Sequence, residues 1–137
     1  MLTCPLVSRM AVKAFYLPAG VLALILACSL WAGRFLEMRT EHWTALLAGV
    51  SQAAEAEDWS GAAGALRRAY EDWDRDQTFL HTILEHDALD EAEQLFAAAM
   101  AACRQEDGEE ALIQIAQLTV CLEQIAETQG ISIRNIF

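Results

Sequence analysis

The sequence predicts an all-α protein, an N-terminal transmembrane helix followed by a small antiparallel helical bundle. Three observations point there. Ala14 to Gly33 is a run of 20 residues without a charge, which at ~1.5 Å per helical residue spans a ~30 Å hydrocarbon core. Beyond it, apolar residues recur at helical steps: Leu36, Trp43, Leu47, Val50 and Ala54 are separated by seven, four, three and four. Only two prolines occur, Pro5 and Pro18, and neither lies past the apolar run, which favours long helices over strands and turns. The chain then divides into a tail (1–13), an anchor (14–33) and an acidic helical bundle (34–137).

Three readings compete for the apolar run. A cleaved signal peptide needs a shorter core and small residues at its cleavage site, and Leu30-Trp31-Ala32-Gly33 offers no A-x-A pattern. A lipoprotein signal has some basis, since Ile25-Leu26-Ala27-Cys28 loosely matches a lipobox, but the residues after Cys28 stay apolar where a polar tether is expected. A retained single-pass anchor fits best, with Tyr16 and Trp31 near the two interfaces that such rings prefer. Arg9 and Lys13 precede the span, and Arg34 and Arg39 follow it. The positive-inside bias is slight and favours the tail inside the cell membrane and the bundle outside.

The net charge of −11 hides an asymmetry. Residues 1–39 hold four basic residues against one acidic, whereas residues 40–137 hold five against nineteen. So acidic a domain repels phosphate backbones, which argues against nucleic-acid binding. It also repels anionic headgroups and is expected to stand off the membrane. A basic partner or a cation is the functional reading of this charge; a solvated, soluble surface is the plainer and favoured one.

The helices follow in order. The first is expected to continue from the anchor past Gly33, since one glycine costs only ~1 kcal/mol, and to stop near Asp58. A second carries Leu66, Tyr70, Trp73, Leu80 and Leu84, with its spacing interrupted at Gln77. The next boundary is assigned to His86-Asp87, where Asp87 can cap with Asp90 at the N3 position. A single helix from 60 to 106 would be ~70 Å long, too long for so small a domain. A third helix (Leu89, Ala92, Phe96, Ala99, Cys103) runs to about Glu106. Asp107 caps a fourth, whose first turn holds Glu109 and Glu110 at the end that favours negative charge. That helix is expected to stop at Gln129-Gly130, with the alternating tail 131–137 docked on the bundle. Tetratricopeptide-like hairpins are the rival architecture, but the helix starts near 58, 87 and 107 keep no fixed period.

These landmarks carry a resemblance. A helix with Trp43, Asp58-Trp59 opening a helix with Trp73, Phe79, the step His86-Asp87-Ala88-Leu89-Asp90 and a closing Asn135-Ile136-Phe137 resemble an uncharacterised bacterial family of small, N-terminally membrane-anchored proteins, domain of unknown function 4363. The resemblance spans nearly the whole chain. It implies the architecture and the membrane location, lends some weight to membership of a membrane complex, and brings no activity with it.

Motifs for chemistry are scarce. The four cysteines (4, 28, 103, 121) include no CxxC pair and no zinc-like spacing with histidine. Folding helices three and four about 107–108 places Cys103 opposite Leu112 and Cys121 opposite Gln94, ~13 Å apart along the axis. That is too far for a disulfide, so both are expected to be free and buried. His81 and His86, five apart, would diverge on one helix and share no metal. A site of His86 with Glu85 or Asp87 is weighed against, and set below, a structural hydrogen bond at a helix junction. Carboxylate pairs such as Asp87/Asp90/Glu91 and Glu106/Glu109/Glu110 arise by chance in so acidic a chain and lack calcium-loop spacing. Nucleophile elbows and phosphate loops are absent from the sequence. Trp43, Trp59 and Trp73 read as large core residues ahead of an aromatic ligand surface.

The expectation is therefore a non-enzyme without catalytic residues, cofactor or metal site. It would be a single-pass accessory or interaction protein with a protein partner in the membrane. The alternative is an extracytoplasmic sensor of a ligand or cation. An accessory protein should show a patch or groove beside the anchor, and a sensor should show an internal cavity with convergent polar groups.

Overall fold

In the computed structural model, residues 5–136 are described, and they fold into five helices: α1 (Pro5–Glu55), α2 (Trp59–Arg75), α3 (Gln77–Ile83), α4 (His86–Arg104) and α5 (Gly108–Ile136). α1 packs on α2 and α5, and α4 packs on the same two, so the four long helices close an up-down-up-down ring. The short α3 touches α2 and α4 where the chain turns back toward the far end of the bundle.

α1 is one helix of 51 residues, ~76 Å at the helical rise. It passes through Pro18 and Gly33 without a break, and it begins before the tail boundary placed at residue 13. Its apolar stretch stands clear of the core: Phe15, Leu17, Leu22 and Leu24 are all exposed. Among the described residues it is the one helix long and apolar enough to cross a membrane, and its most apolar stretch is unburied by the rest of the chain. From Leu36 onward the same helix supplies the core with Leu36, Trp43, Leu47 and Val50, each fully buried.

The two loops distant from the apolar run share one device. Glu57 adopts φ 58° and Glu106 φ 55°. In the first loop the amides of Glu57 and Asp58 donate to the carbonyls of Ala54 and Ala53; in the second those of Glu106 and Asp107 donate to Cys103 and Ala102. This is the paired bonding of a Schellman stop, with glutamate where glycine is usual. The following aspartate then caps the next helix: Asp58 accepts from the Gly61 amide at 3.0 Å and Asp107 from that of Glu110 at 3.1 Å. Asp58 thus opens α2, and α1 ends three residues earlier than expected.

The other boundaries differ from expectation for physical reasons. The expected second helix is two, broken at Asp76 (φ −91°, ψ 0°). The Asp76 side chain makes no cap because Arg39 holds it. α4 starts at His86 behind an extended Glu85 that also lacks a side-chain cap, so Asp87 sits in the first turn instead of capping it. Gly130 does not end α5. No described glycine has a positive φ, and without a left-handed turn glycine is simply another helical residue. The backbone of 131–136 is therefore helical rather than an extended tail. Docking of the 131–137 side chains lies outside the described residues, as does Cys4.

The core is built around aromatic rings. Trp43 and Trp73 meet edge to face at 4.9 Å, and Phe96 lies between Trp73 (6.0 Å) and Tyr70 (5.5 Å). Leu66, Leu89, Ile115, Leu118 and Leu122 fill in around them. Alanines at 62, 69, 92, 99 and 111 are fully buried and let the helices approach closely.

Candidate functional site

Unusual chemistry collects at the end of the bundle next to the apolar run. Arg39 lies on α1, one turn before Trp43, and reaches across to α2. Its Nη2 donates to Asp72 Oδ2 at 2.7 Å and its Nε to Asp76 Oδ2 at 2.6 Å. The three side chains are 24%, 16% and 18% exposed, respectively, so this is a largely desolvated, charge-assisted arrangement. Asp72 also accepts from the Trp43 indole at 3.1 Å. His42 Nε2 stands 3.3 Å from the same oxygen, and Arg75 lies 3.6 Å from the other. The Arg39 guanidinium sits 5.4 Å from the Trp43 ring, in cation–π range.

Below this cluster an aromatic trio joins α1 to α3. Phe79 meets Phe35 at 4.9 Å and Trp31 at 5.9 Å, both edge to face, and Trp31 stacks on Phe35 at 5.5 Å. Trp31 remains 62% exposed. On the other side, Gln129 of α5 donates to the Ile83 carbonyl at 3.1 Å. α3 and the end of α5 are thereby held at one level.

Between α1 and α5 runs an open groove of about 900 Å³, lined by Leu30, Gly33, Arg34, Glu37, Thr40 and Glu41 on one side and Glu123, Ala126, Glu127 and Gly130 on the other. Four glutamates face one arginine, and that arginine is already 3.4 Å from Glu37. Thr40, 5% exposed, has a buried hydroxyl without a hydrogen-bond partner. A second, smaller groove of about 380 Å³ lies between α4 and α5 and includes Glu91, Leu95, Val120 and Cys121. Both grooves are open along the surface.

The other singled-out residues fall as follows. Trp43 and Trp73 are fully buried, and Trp59 is partly buried against the core and beside Gly108, so the three make no common ligand surface. Cys103 and Cys121 are unpaired and buried, and burial pushes both thiols up from their ordinary range. The histidines differ from expectation. The break at Leu84-Glu85 turns the chain, so the His81 and His86 rings meet at 5.3 Å where one continuous helix would have separated them. Among the described residues no three His, Cys, Asp or Glu side chains are grouped to hold a metal.

The Arg39 cluster escaped the sequence reading because its partners lie 33 and 37 residues away. A signal did exist. Arg39 is a lone basic residue between Arg34 and Arg67, and Asp72 and Asp76 share a helix face at i, i+4 spacing.

No curated protein and no solved structure matches the chain. One family does match, over residues 30–136, beginning inside the apolar run and covering the whole bundle. The chain belongs to that family, described as a domain of unknown function (DUF4363).

Proposed function

We propose that this is a single-pass membrane protein of accessory type, without catalytic activity, which holds a membrane partner against the groove between α1 and α5. The groove carries the proposal. It starts at Leu30 and Gly33, inside the apolar run, and continues along the bundle to Glu41 and Glu123. A surface that begins in the anchor and runs upward suits a partner that also emerges from the bilayer. Its glutamates suit a juxtamembrane segment rich in Lys or Arg, the complement that would steer association. One unbroken α1 supports the rest: anchor and bundle are one rigid piece, so the groove stands at a fixed height and rotation. The tail lies inside and the bundle outside on the charge bias of the flanks. A sensing role draws less support, since both grooves are open and the buried tryptophans line neither.

The test is site-specific photo-crosslinking of the full chain in its native membrane, with the reactive residue at Glu37 or Glu123 and, as control, at Glu71 on α2. A discrete adduct to a membrane protein from the groove positions and not from Glu71 is expected. Recovery of the chain alone from all three positions overturns the proposal.

A further inference from the structure

The acidity of residues 40–137 argues for a bundle held clear of the bilayer, yet the geometry at its base does not. We infer that the base of the bundle, α3 together with the last turns of α5, rests in the headgroup layer of the bilayer as a second, lipid-facing contact beside the anchor. The inference relies on the proposed anchor.

Depth carries it. Trp31 stands two residues inside the end of the uncharged run, and helical side chains lean toward the N-terminus, here into the membrane. Its ring therefore lies at the border of hydrocarbon and headgroups, where tryptophan prefers to be. Phe79 is 5.9 Å from that ring, centroid to centroid. The headgroup layer is ~5–7 Å deep on each side of a typical bilayer. With only 5.9 Å between the rings, the Phe79 ring lies within or directly against the headgroup layer, and α3 is carried to that depth with it.

α5 agrees. Gly130 lines the groove that opens at Leu30 and Gly33, and the helix continues six residues further to Ile136 on the side of the apolar run, so the last turns of α5 reach the level of the headgroups. The bond from Gln129 to the Ile83 carbonyl fixes this end to α3.

Composition agrees as well. Gln77–Leu84 and residues 128–137 contain no Asp or Glu, although nineteen acidic residues occur between 40 and 137. The nearest carboxylate before α3, Asp76, is neutralised by Arg39 at 2.6 Å. The repulsion expected from the acidic faces is thus weakest in these two segments, where Glu85 and Glu127 are the other carboxylates at their borders. Trp31, 62% exposed to the surroundings of the chain, gains lipid on its open side and Phe79 on the other.

The test places a diazirine-bearing amino acid at Thr78 or Thr82 of α3 in the full chain, reconstituted in phosphatidylcholine vesicles. Leu24 serves as the anchor position and Arg68 as a position on the body of the bundle, and lipid adducts are read by mass spectrometry. Adducts at Leu24 and at one or both α3 positions, several-fold above Arg68, are expected. Adducts at Leu24 with both α3 positions no better than Arg68 overturn the inference and leave the anchor standing. No adduct at Leu24 overturns the anchor, and this inference falls with it.

Discussion

Arg39 and Asp72, 2.7 Å apart, fasten the lower bundle part of α1 to α2. The same Asp72 oxygen accepts the Trp43 indole, and Asp76 completes the fork around the guanidinium. One arginine therefore satisfies two carboxylates at the point where α2 breaks. It also explains why Asp76 bends the chain without capping α3.

Removing Arg39 takes from the partly buried Asp76 its side-chain partner and leaves Asp72 with the Trp43 indole, His42 and the exposed Arg75. Arg39→Ala is expected to destabilise the bundle by ~2–4 kcal/mol. Arg39→Lys should restore only part of this, because an ammonium cannot bridge both acids with a planar fork. Denaturation of the full chain in detergent micelles, followed by helical circular dichroism, measures both. Equal stability of Arg39→Ala and the parent would show that the pair contributes nothing.

The two central tryptophans differ in one atom's fate. The Trp43 indole donates to Asp72 at 3.1 Å, whereas the Trp73 indole N–H is buried without a partner. Replacement by phenylalanine removes similar volume at each position. Trp43→Phe loses a hydrogen bond to a charged group, and Trp73→Phe loses an unsatisfied donor. The first should be less stable than the second by ~1–3 kcal/mol, read from paired denaturation curves. The reverse order would count against the hydrogen-bond assignment.

Much of this fold was legible because it rests on local periodicity. The stripe Leu36, Trp43, Leu47, Val50 is both the sequence signal and the buried face, and Asp107 caps where its position suggested. What was not legible depends on events far along the chain or on backbone state. Asp76 breaks the second helix while its carboxylate is engaged by a residue on α1. His81 and His86 meet only because of the turn at Leu84-Glu85. Gly130 looked like a stop, but a glycine ends a helix only where the chain leaves it in a left-handed turn. Here the stops are Glu57 and Glu106, which composition gives no reason to suspect.

Those glutamates sit in a conformation that costs L-residues ~1–2 kcal/mol. Glu57→Gly and Glu106→Gly should each stabilise the protein by ~0.5–1 kcal/mol, the relief of strain offset in part by the freer unfolded chain. Both changes also remove a negative charge from the carbonyl end of a helix. Alanine at either position keeps the Cβ and should give no such gain. Midpoints of thermal unfolding for the four single variants decide this.

Gly130 invites the opposite change. A Cβ there would meet nothing within 4 Å, and its φ is helical in sign. Gly130→Ala should stabilise α5 by ~0.5–1 kcal/mol. Hydrogen exchange should show slower amides on both sides of residue 130. Unchanged exchange would mean that the last turns are not helical in solution.

Burial also sets the response to alkali. It raises the Cys103 and Cys121 thiols above their ordinary value of 9.0, with Glu91 adding to the shift at Cys121. Burial raises Tyr70 above 10.0, with Glu93 and Asp74 contributing. All three hold their protons more tightly folded than unfolded. Their contribution is complete at neutral pH and is lost as pH rises from their unfolded values through the folded ones. Stability should therefore be insensitive to these groups below pH ~8 and fall above pH ~9. The same burial predicts slow thiol chemistry. In a Cys4→Ser/Cys28→Ser/Cys121→Ser variant at neutral pH, the remaining Cys103 thiol, which lines neither groove, should react with a maleimide at the rate of bundle opening and rapidly once denaturant is added. Immediate reaction in the folded protein would mean that the α4–α5 seam opens far more readily than its buried cysteines imply.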